Sequence, residues 1–210
     1  MGTSRLESFS DGVIAVAITL LVLGLKVPAP PASGAHAAHG LAHELADNWP
    51  NFAAYVTSFL TIGIIWINHH AMMSRLAHTD HAILILNLLL LMSIGILPFA
   101  TELMATYLRQ SGGQAGLAAA IYGGSLLPMS IMFATLNRHI MLRKAHLLAE
   151  ELSLARRRQI LGRTVVGLIP YALATALAFV SPYVTLTICA AVAVFYAQPI
   201  ASGSETPRQA

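Results

Sequence analysis

The sequence is poor in charged residues, in cysteine and in the short motifs that mark enzymes. Only 10% of its 210 residues are Asp, Glu, Lys or Arg, whereas charged residues make up about 25% of soluble domains. Apolar residues make up 56%, and the mean hydropathy is +0.68. These values exclude a soluble globular protein and predict an integral membrane protein.

Each missing motif excludes a class of activity. The single cysteine, Cys189, excludes an intramolecular disulfide and predicts a buried, inert thiol. The chain has no phosphate-binding loop, no HExxH zinc motif and no nucleophile elbow, so we expect neither an enzyme nor a cofactor. The carbonyl-filter sequence TVGYG and the arginine repeat of a voltage sensor are also absent. We expect no nucleic-acid partner.

What the sequence does contain is a series of long apolar runs. Six segments have the scale of helices: Gly12–Leu25, Phe52–Ile67, Ala82–Leu108, Leu117–Leu136, Leu161–Val180 and Tyr183–Tyr196. They predict an all-α, six-helix membrane domain over residues 1–201. We expect a basic helical linker over about residues 138–160 and a disordered tail over 202–210.

Lysine and arginine are concentrated at alternate connections between these segments. Ten lie near the termini or after the second and fourth segments, and only Lys26 and Arg109 lie in the opposite connections. The positive-inside rule then predicts a multi-pass protein of the cell (inner) membrane with both termini in the cytoplasm. The basic stretch 138–163 also suits anionic lipid headgroups, although topology alone accounts for its charge.

The first segment has a charged start and a short apolar run, Val13–Leu25. A spanning helix needs about 20 apolar residues, so a cleaved signal peptide is one alternative. Glu7 and Asp11 argue against it, because the start of a signal peptide is positive. We therefore expect the polar start to be packed within a folded membrane protein, with Asp11 either paired or capping the helix.

A helical wheel gives this segment two sides. Val16, Thr19, Leu20 and Leu23 share one face, which Gly12 joins one turn earlier, and Asp11 points about 140° away from Val16. From periodicity alone, this stripe is either ordinary packing surface or the lining of a pore.

Polar residues elsewhere offer partners for Asp11. The candidates are Arg5, Trp66, His69, His70 and Asn87. Adjacent histidines on a helix point about 100° apart and share one ion poorly, so a hydrogen-bonded network is favoured over a metal site. His36, His39 and His43 have better ligand spacing, but they lie in a loop where a solvated turn is the alternative. Glu102 lies either at the external interface or in a vestibule.

With these residues laid out, the chain resembles the transmembrane protein 175 family over nearly its whole length. The signature is Arg5-x-x-x-Phe9-Ser10-Asp11-Gly12 at the start of the first helix. Supporting matches are Trp66 with His69-His70, and Asn87 followed by Leu97-Pro98-Phe99-x-Thr101.

The resemblance implies a potassium-selective leak-type channel, with K⁺ as the permeant ion and proton permeation as a further property. It implies a homotetramer whose first helices line an axial pore without a carbonyl filter. By position, Val16 and Leu23 form the constrictions, Thr19 carries selectivity, and Gly12 and Leu20 also face the pore. Val16 is smaller than the Ile or Leu common at the first constriction. A structural polar network is implied for Arg5, Ser10, Asp11, Trp66, His69, His70 and Asn87.

Two rival classes stay open at this point. A proton-coupled secondary transporter would use Asp11, His69 and His70 as a relay, although no pair of broken helices in matching positions favours it. A non-conducting membrane scaffold would use the basic linker to bind lipid or a partner.

Overall fold

The computed structural model describes residues 3–28, 40–111, 113–150 and 152–197. Most of these residues are α-helical. The helices are α1 (Thr3–Leu20), α2 (Leu41–Asp47), α3 (Trp49–Met73), α4 (His81–Gly95), α5 (Leu97–Tyr107), α6 (Gln114–Arg138), α7 (Leu154–Val166), α8 (Leu168–Ala176) and α9 (Pro182–Ala197). A 3-10 turn, Leu21–Gly24, prolongs α1, and a π-helical turn, His139–Arg143, prolongs α6.

The predicted all-helical membrane class is confirmed. Within the described parts of the chain, four helical stretches are long and apolar enough to cross a membrane, namely Thr3–Gly24, Trp49–Met73, His81–Tyr107 and Gln114–Arg143. The fifth predicted segment is divided at Gly167 between α7 and α8, and the sixth is the shorter α9. The predicted tail, 202–210, lies outside the described residues.

Helix α6 lies at the centre of the bundle and contacts α4, α5, α8 and α9. Its Tyr122 is fully buried, and the Tyr122 hydroxyl lies 3.0 Å from Ser58 Oγ on α3. Small residues let the backbones approach, as is common in membrane bundles. A Cβ added at Gly123 would lie 3.0 Å from Thr175 Oγ1 on α8, so only glycine fits this crossing without a shift.

The linker between α6 and α7 is only partly helical, in contrast to the prediction for residues 138–160. Leu148 pairs with Leu76 in an isolated antiparallel bridge. The Ala149 amide donates to the Arg75 carbonyl at 2.8 Å, and the Ala77 amide donates to the Leu147 carbonyl at 2.8 Å. The α3–α4 connection thus supplies the backbone partners that a continuous helix would have supplied internally.

An ion pair strengthens the same junction. Lys144 Nζ lies 2.9 Å from the Asp80 carboxylate, which also caps α4 by accepting the Ile83 amide at 2.9 Å. These two hydrogen bonds, from Lys144 first and Ile83 second, lower the pKa of Asp80 below its usual value.

Candidate functional site

Helix α1 packs on the bundle through one face. Its buried residues are Ser10, Ile14 and Ala17, and Leu21 continues the row into the 3-10 turn. This spacing of three to four residues is that of a single helical stripe. The stripe contacts α3, α4 and α5, which fixes the rotation of α1 about its own axis.

The opposite face of α1 has few intrachain contacts. Val16 is 56% exposed, Leu20 43% and Leu23 72%. Thr19 is exposed on the same face, and a Cβ added at Gly12 would meet no atom within 4 Å. The five residues implied as pore-facing therefore lie together on an apolar surface that the chain itself leaves open.

Thr19 is the one hydroxyl-bearing residue of this surface. Its Oγ1 donates to the Val16 carbonyl at 2.9 Å. Because the hydroxyl hydrogen is used within the helix, the oxygen keeps its lone pairs for an outside partner. An acceptor held in this way can coordinate a cation or a cation's water.

Asp11 belongs to the interior of the described helix, which already includes Thr3. The alternative in which Asp11 caps the helix start is therefore wrong, because the amides near it already bond within α1. Its carboxylate instead accepts a hydrogen bond from the Trp66 indole N–H of α3 at 2.9 Å. Hydrogen bonding offsets the cost of placing a carboxylate near membrane depth.

A second set of hydrogen bonds joins three helices. Asn87 of α4 donates from Nδ2 to Ser10 Oγ of α1 at 2.9 Å, and its Oδ1 lies 2.7 Å from His69 Nε2 of α3. Ser10 in turn donates to the Leu6 carbonyl at 2.8 Å. All three side chains are buried, so each loses water and depends on these partners.

The sequence analysis did not predict that His70 pairs with Glu7 of α1. Glu7 Oε1 lies 2.8 Å from His70 Nδ1. Glu7 precedes Asp11 by four residues and His70 follows Trp66 by four, so two matched i,i+4 pairs meet across α1 and α3. This shared spacing of four residues is the sequence feature that could have predicted the Glu7–His70 contact. Arg5, by contrast, is exposed and forms no ion pair with any residue that the structure describes.

At the far end of α1, Lys26 Nζ lies 3.3 Å from Glu102 Oε1 on α5, and both side chains are largely exposed. Asn48 Nδ2 donates to the Lys26 carbonyl at 3.3 Å, and a Cβ added at Gly24 would lie 3.8 Å from Glu102 Cβ. Glu102 therefore lies against the end of the first helical stretch.

The histidine cluster proposed from spacing is only partly placed. His36 and His39 lie outside the described residues. His43 lies in α2, with Nε2 at 3.6 Å from the Asp47 carboxylate. The favoured solvated turn and the metal alternative for these three histidines therefore both stay untested.

Together, the fold and this site define a helical membrane protein whose first helix is held by polar contacts on one side and left open on the other. Comparison with known sequences assigns the family. A profile described as "Endosomal/lysosomal potassium channel TMEM175" matches residues 5–98. The chain belongs to the TMEM175 family of ion channels, as its resemblance implied.

Relatives match over much more of the chain than the family profile does. A protein from Streptomyces collinus, named as a potassium channel, is 41% identical over 92% of this chain and 91% of its own length. The crystal structure of a lysosomal potassium-selective channel TMEM175 homologue from Chamaesiphon minutus superposes with a TM-score of 0.79. It is 37% identical, and the match covers 93% of this chain and 96% of that one.

A vertebrate relative matches a smaller part of this chain. The endosomal/lysosomal proton channel TMEM175 of Gallus gallus is 36% identical over 114 residues, which are 53% of this chain and 23% of that protein.

Proposed function

We propose that the protein is a potassium-selective, leak-type cation channel in which four copies of α1 surround an axial pore. The observation that carries the proposal is the open face of α1, where Val16, Thr19, Leu20 and Leu23 lie exposed opposite the buried row of Ser10, Ile14 and Ala17. One chain supplies one such helix, so a closed pore wall requires a symmetric assembly. The names of the relatives from Streptomyces collinus and Gallus gallus support a channel.

Each residue of the open face has a proposed part in the pore. Rings of Val16 and Leu23 form narrow apolar constrictions, where dewetting controls conduction. Thr19 lies between them, and its ring of oxygens replaces part of the hydration shell of K⁺. Gly12 and Leu20 line the remaining wall. The smaller Val16 leaves a wider or less restrictive first constriction than Ile or Leu would.

The proposed topology is six membrane helices with both termini in the cytoplasm. The excess of Lys and Arg at alternate connections supports it. In this orientation the Asp11–Trp66 contact lies towards the cytoplasmic end of the pore, and the Lys26–Glu102 pair lies at its external mouth. Proton permeation is a further proposed property, supported by the printed name of the Gallus gallus relative.

A proton-coupled carrier finds little support in the polar network. Asp11 bonds to the Trp66 indole, which donates but cannot accept a proton and so cannot continue a relay. His69 bonds to Asn87, an amide that does not titrate, whereas His70 pairs with the Glu7 carboxylate. The three groups of the supposed relay therefore lead to separate partners.

Electrical recording from proteoliposomes tests the channel against the carrier. With a KCl gradient across the bilayer, we expect current that reverses near the potassium equilibrium potential and needs no co-ion. Flux that saturates with K⁺ and requires a proton gradient or a second ion would support the carrier instead. Protein-free liposomes and heat-inactivated protein are the controls.

A further inference from the structure

A cavity of about 160 Å³ opens among α3, α6, α7, α8 and α9, and no residue of α1 lines it. It is therefore separate from the open face assigned to the pore. Its lining combines three arginines with a wall of apolar side chains. Nothing in the proposed conduction pathway uses this space.

The charged part of the lining has one sign. Arg75, from the α3–α4 connection, lines the cavity together with Arg156 and Arg163 of α7, and none of the described residues that line it is Asp or Glu. None of the three guanidinium groups forms an ion pair with a residue in the described parts of the chain. Burial first, and the neighbouring Arg156 second, lower the pKa of Arg75. An anion in this position would relieve both effects.

Asn137 adds a buried acceptor that lacks a partner. The Thr164 hydroxyl donates to the Ile160 carbonyl at 3.0 Å, so its oxygen is left to accept from Asn137 Nδ2, also at 3.0 Å. This fixes the orientation of the amide. Asn137 Oδ1 then has no hydrogen-bond partner among the described residues, although the side chain lines the cavity and Asn137 is only 4% exposed. A hydroxyl beside the anionic group of a ligand would supply the missing donor.

The apolar wall points to the rest of the ligand. Ile64, Phe133 and Val192 line the cavity from α3, α6 and α9. The first two of these helices belong to the stretches long enough to span a membrane. A small soluble anion would leave this wall uncovered, whereas an acyl chain would contact it.

We propose that the cavity binds one anionic phospholipid per subunit, with its phosphate against Arg75, Arg156 and Arg163. A headgroup hydroxyl donates to Asn137 Oδ1, and an acyl chain covers the apolar wall. A glycerol headgroup meets both polar requirements. The site does not depend on which ion the channel conducts, so it stands or fails separately from the proposed function.

Native mass spectrometry of the purified full-length protein in detergent measures this binding. We expect phosphatidylglycerol to bind once per subunit, more tightly than phosphatidic acid, which lacks the headgroup hydroxyls. Phosphatidylcholine, which has no net charge, should bind weakest. Arg156→Gln should weaken phosphatidylglycerol binding by about tenfold, because hydrogen bonds to charged groups are among the stronger ones.

Arg158→Gln is the matched control, since Arg158 lies on the same helix but is exposed and does not line the cavity. It should leave the affinity unchanged. Arg156 lies on a helix with no buried residue, so its substitution should leave the fold intact. An unchanged thermal midpoint without added lipid checks this.

Three results would overturn the proposal. If Arg156→Gln and Arg158→Gln weakened phosphatidylglycerol binding equally, the binding would depend on the overall surface charge and not on the cavity. Full displacement of the lipid by glycerol 3-phosphate would assign the cavity to a soluble phosphate. Equal affinity for phosphatidylglycerol and phosphatidylcholine would remove the anion requirement.

Discussion

The Trp66 indole donates a hydrogen bond to the Asp11 carboxylate at 2.9 Å, across the contact between α3 and α1. This bond gives the most conspicuous charge of the first helix a partner on a neighbouring helix. Asp11 therefore faces the bundle, while Val16 and Leu23 are left exposed on the same helix. Holding α1 in place and lining the ion path are thus assigned to different faces of one helix.

Removing the charge of Asp11 should destabilise the assembly without altering selectivity. We expect Asp11→Asn to cost about 0.5–1.5 kcal/mol, because the asparagine oxygen still accepts the indole hydrogen bond but without the charge. Trp66→Phe removes the donor and should cost about 1.5–3 kcal/mol, as is typical for a hydrogen bond to a charged group. The thermal midpoint in detergent and the fraction eluting as an oligomer measure the effect. Glu44→Gln, at a partly buried acid on α2, is the control. Intact assembly with changed selectivity would place Asp11 in the ion path instead.

The Asn87 side chain should stabilise the fold through its hydrogen bonds to both Ser10 and His69. Asn87→Ala leaves His69 and Ser10 buried without their partner, at a cost of about 1–3 kcal/mol. In a double-mutant cycle with Ser10→Ala, the two losses should be less than additive, because they remove one shared contact. Strict additivity of the two changes in unfolding free energy would show that the bond does not matter to stability.

The fold class and the two faces of α1 could be read from the sequence because both depend on hydrophobic periodicity. The capping alternative for Asp11 failed because a polar residue before an apolar run can equally belong to a buried helix turn. The pair of Glu7 and His70 was missed, since its signal appears only when two helices are compared together.

The features that the sequence did not predict depend on contacts between residues far apart in the chain. The extended stretch around Leu148 forms because Leu76 and Arg75, more than 70 positions earlier, offer backbone partners. The cavity is likewise built from residues of several elements, such as Arg75, Asn137 and Arg163. No local pattern in any single segment predicts that these residues meet.

Replacing the hydroxyl of Thr19 should lower selectivity while leaving the channel assembled. We expect Thr19→Ala to reduce the potassium-over-sodium permeability ratio by about tenfold, the equivalent of one hydrogen-bond-sized contribution. The reversal potential under bi-ionic conditions measures it. Thr187→Ala is the matched control, because Thr187 is also exposed and also donates to a carbonyl of its own helix, that of Tyr183. An unchanged reversal potential in Thr19→Ala would remove this residue from selectivity.

The Asp80–Lys144 pair should make stability depend on pH at the acidic end. The folded pKa of Asp80 lies below its ordinary 3.8, so its charge stabilises the fold above that pH. The contribution is lost as the pH falls from 3.8 through the folded pKa. Asp80→Asn keeps a capping side chain but no charge, and should cost about 0–1 kcal/mol at neutral pH.

The difference in thermal midpoint between wild type and Asp80→Asn should therefore shrink as the pH is lowered through this range. Lys144→Gln should shrink it at neutral pH as well. A difference that stays constant with pH would show that the charge of Asp80 contributes nothing.

Chemical modification of Leu23→Cys tests most directly whether the open face of α1 lines the ion path. The native Cys189 is fully buried, so an engineered cysteine can be labelled selectively. A cationic methanethiosulfonate reagent should block the potassium current of Leu23→Cys in proteoliposomes. In Leu41→Cys, exposed on α2, it should leave the current unchanged. Complete labelling of Leu23→Cys, verified by mass spectrometry, with an unaltered current would contradict the account.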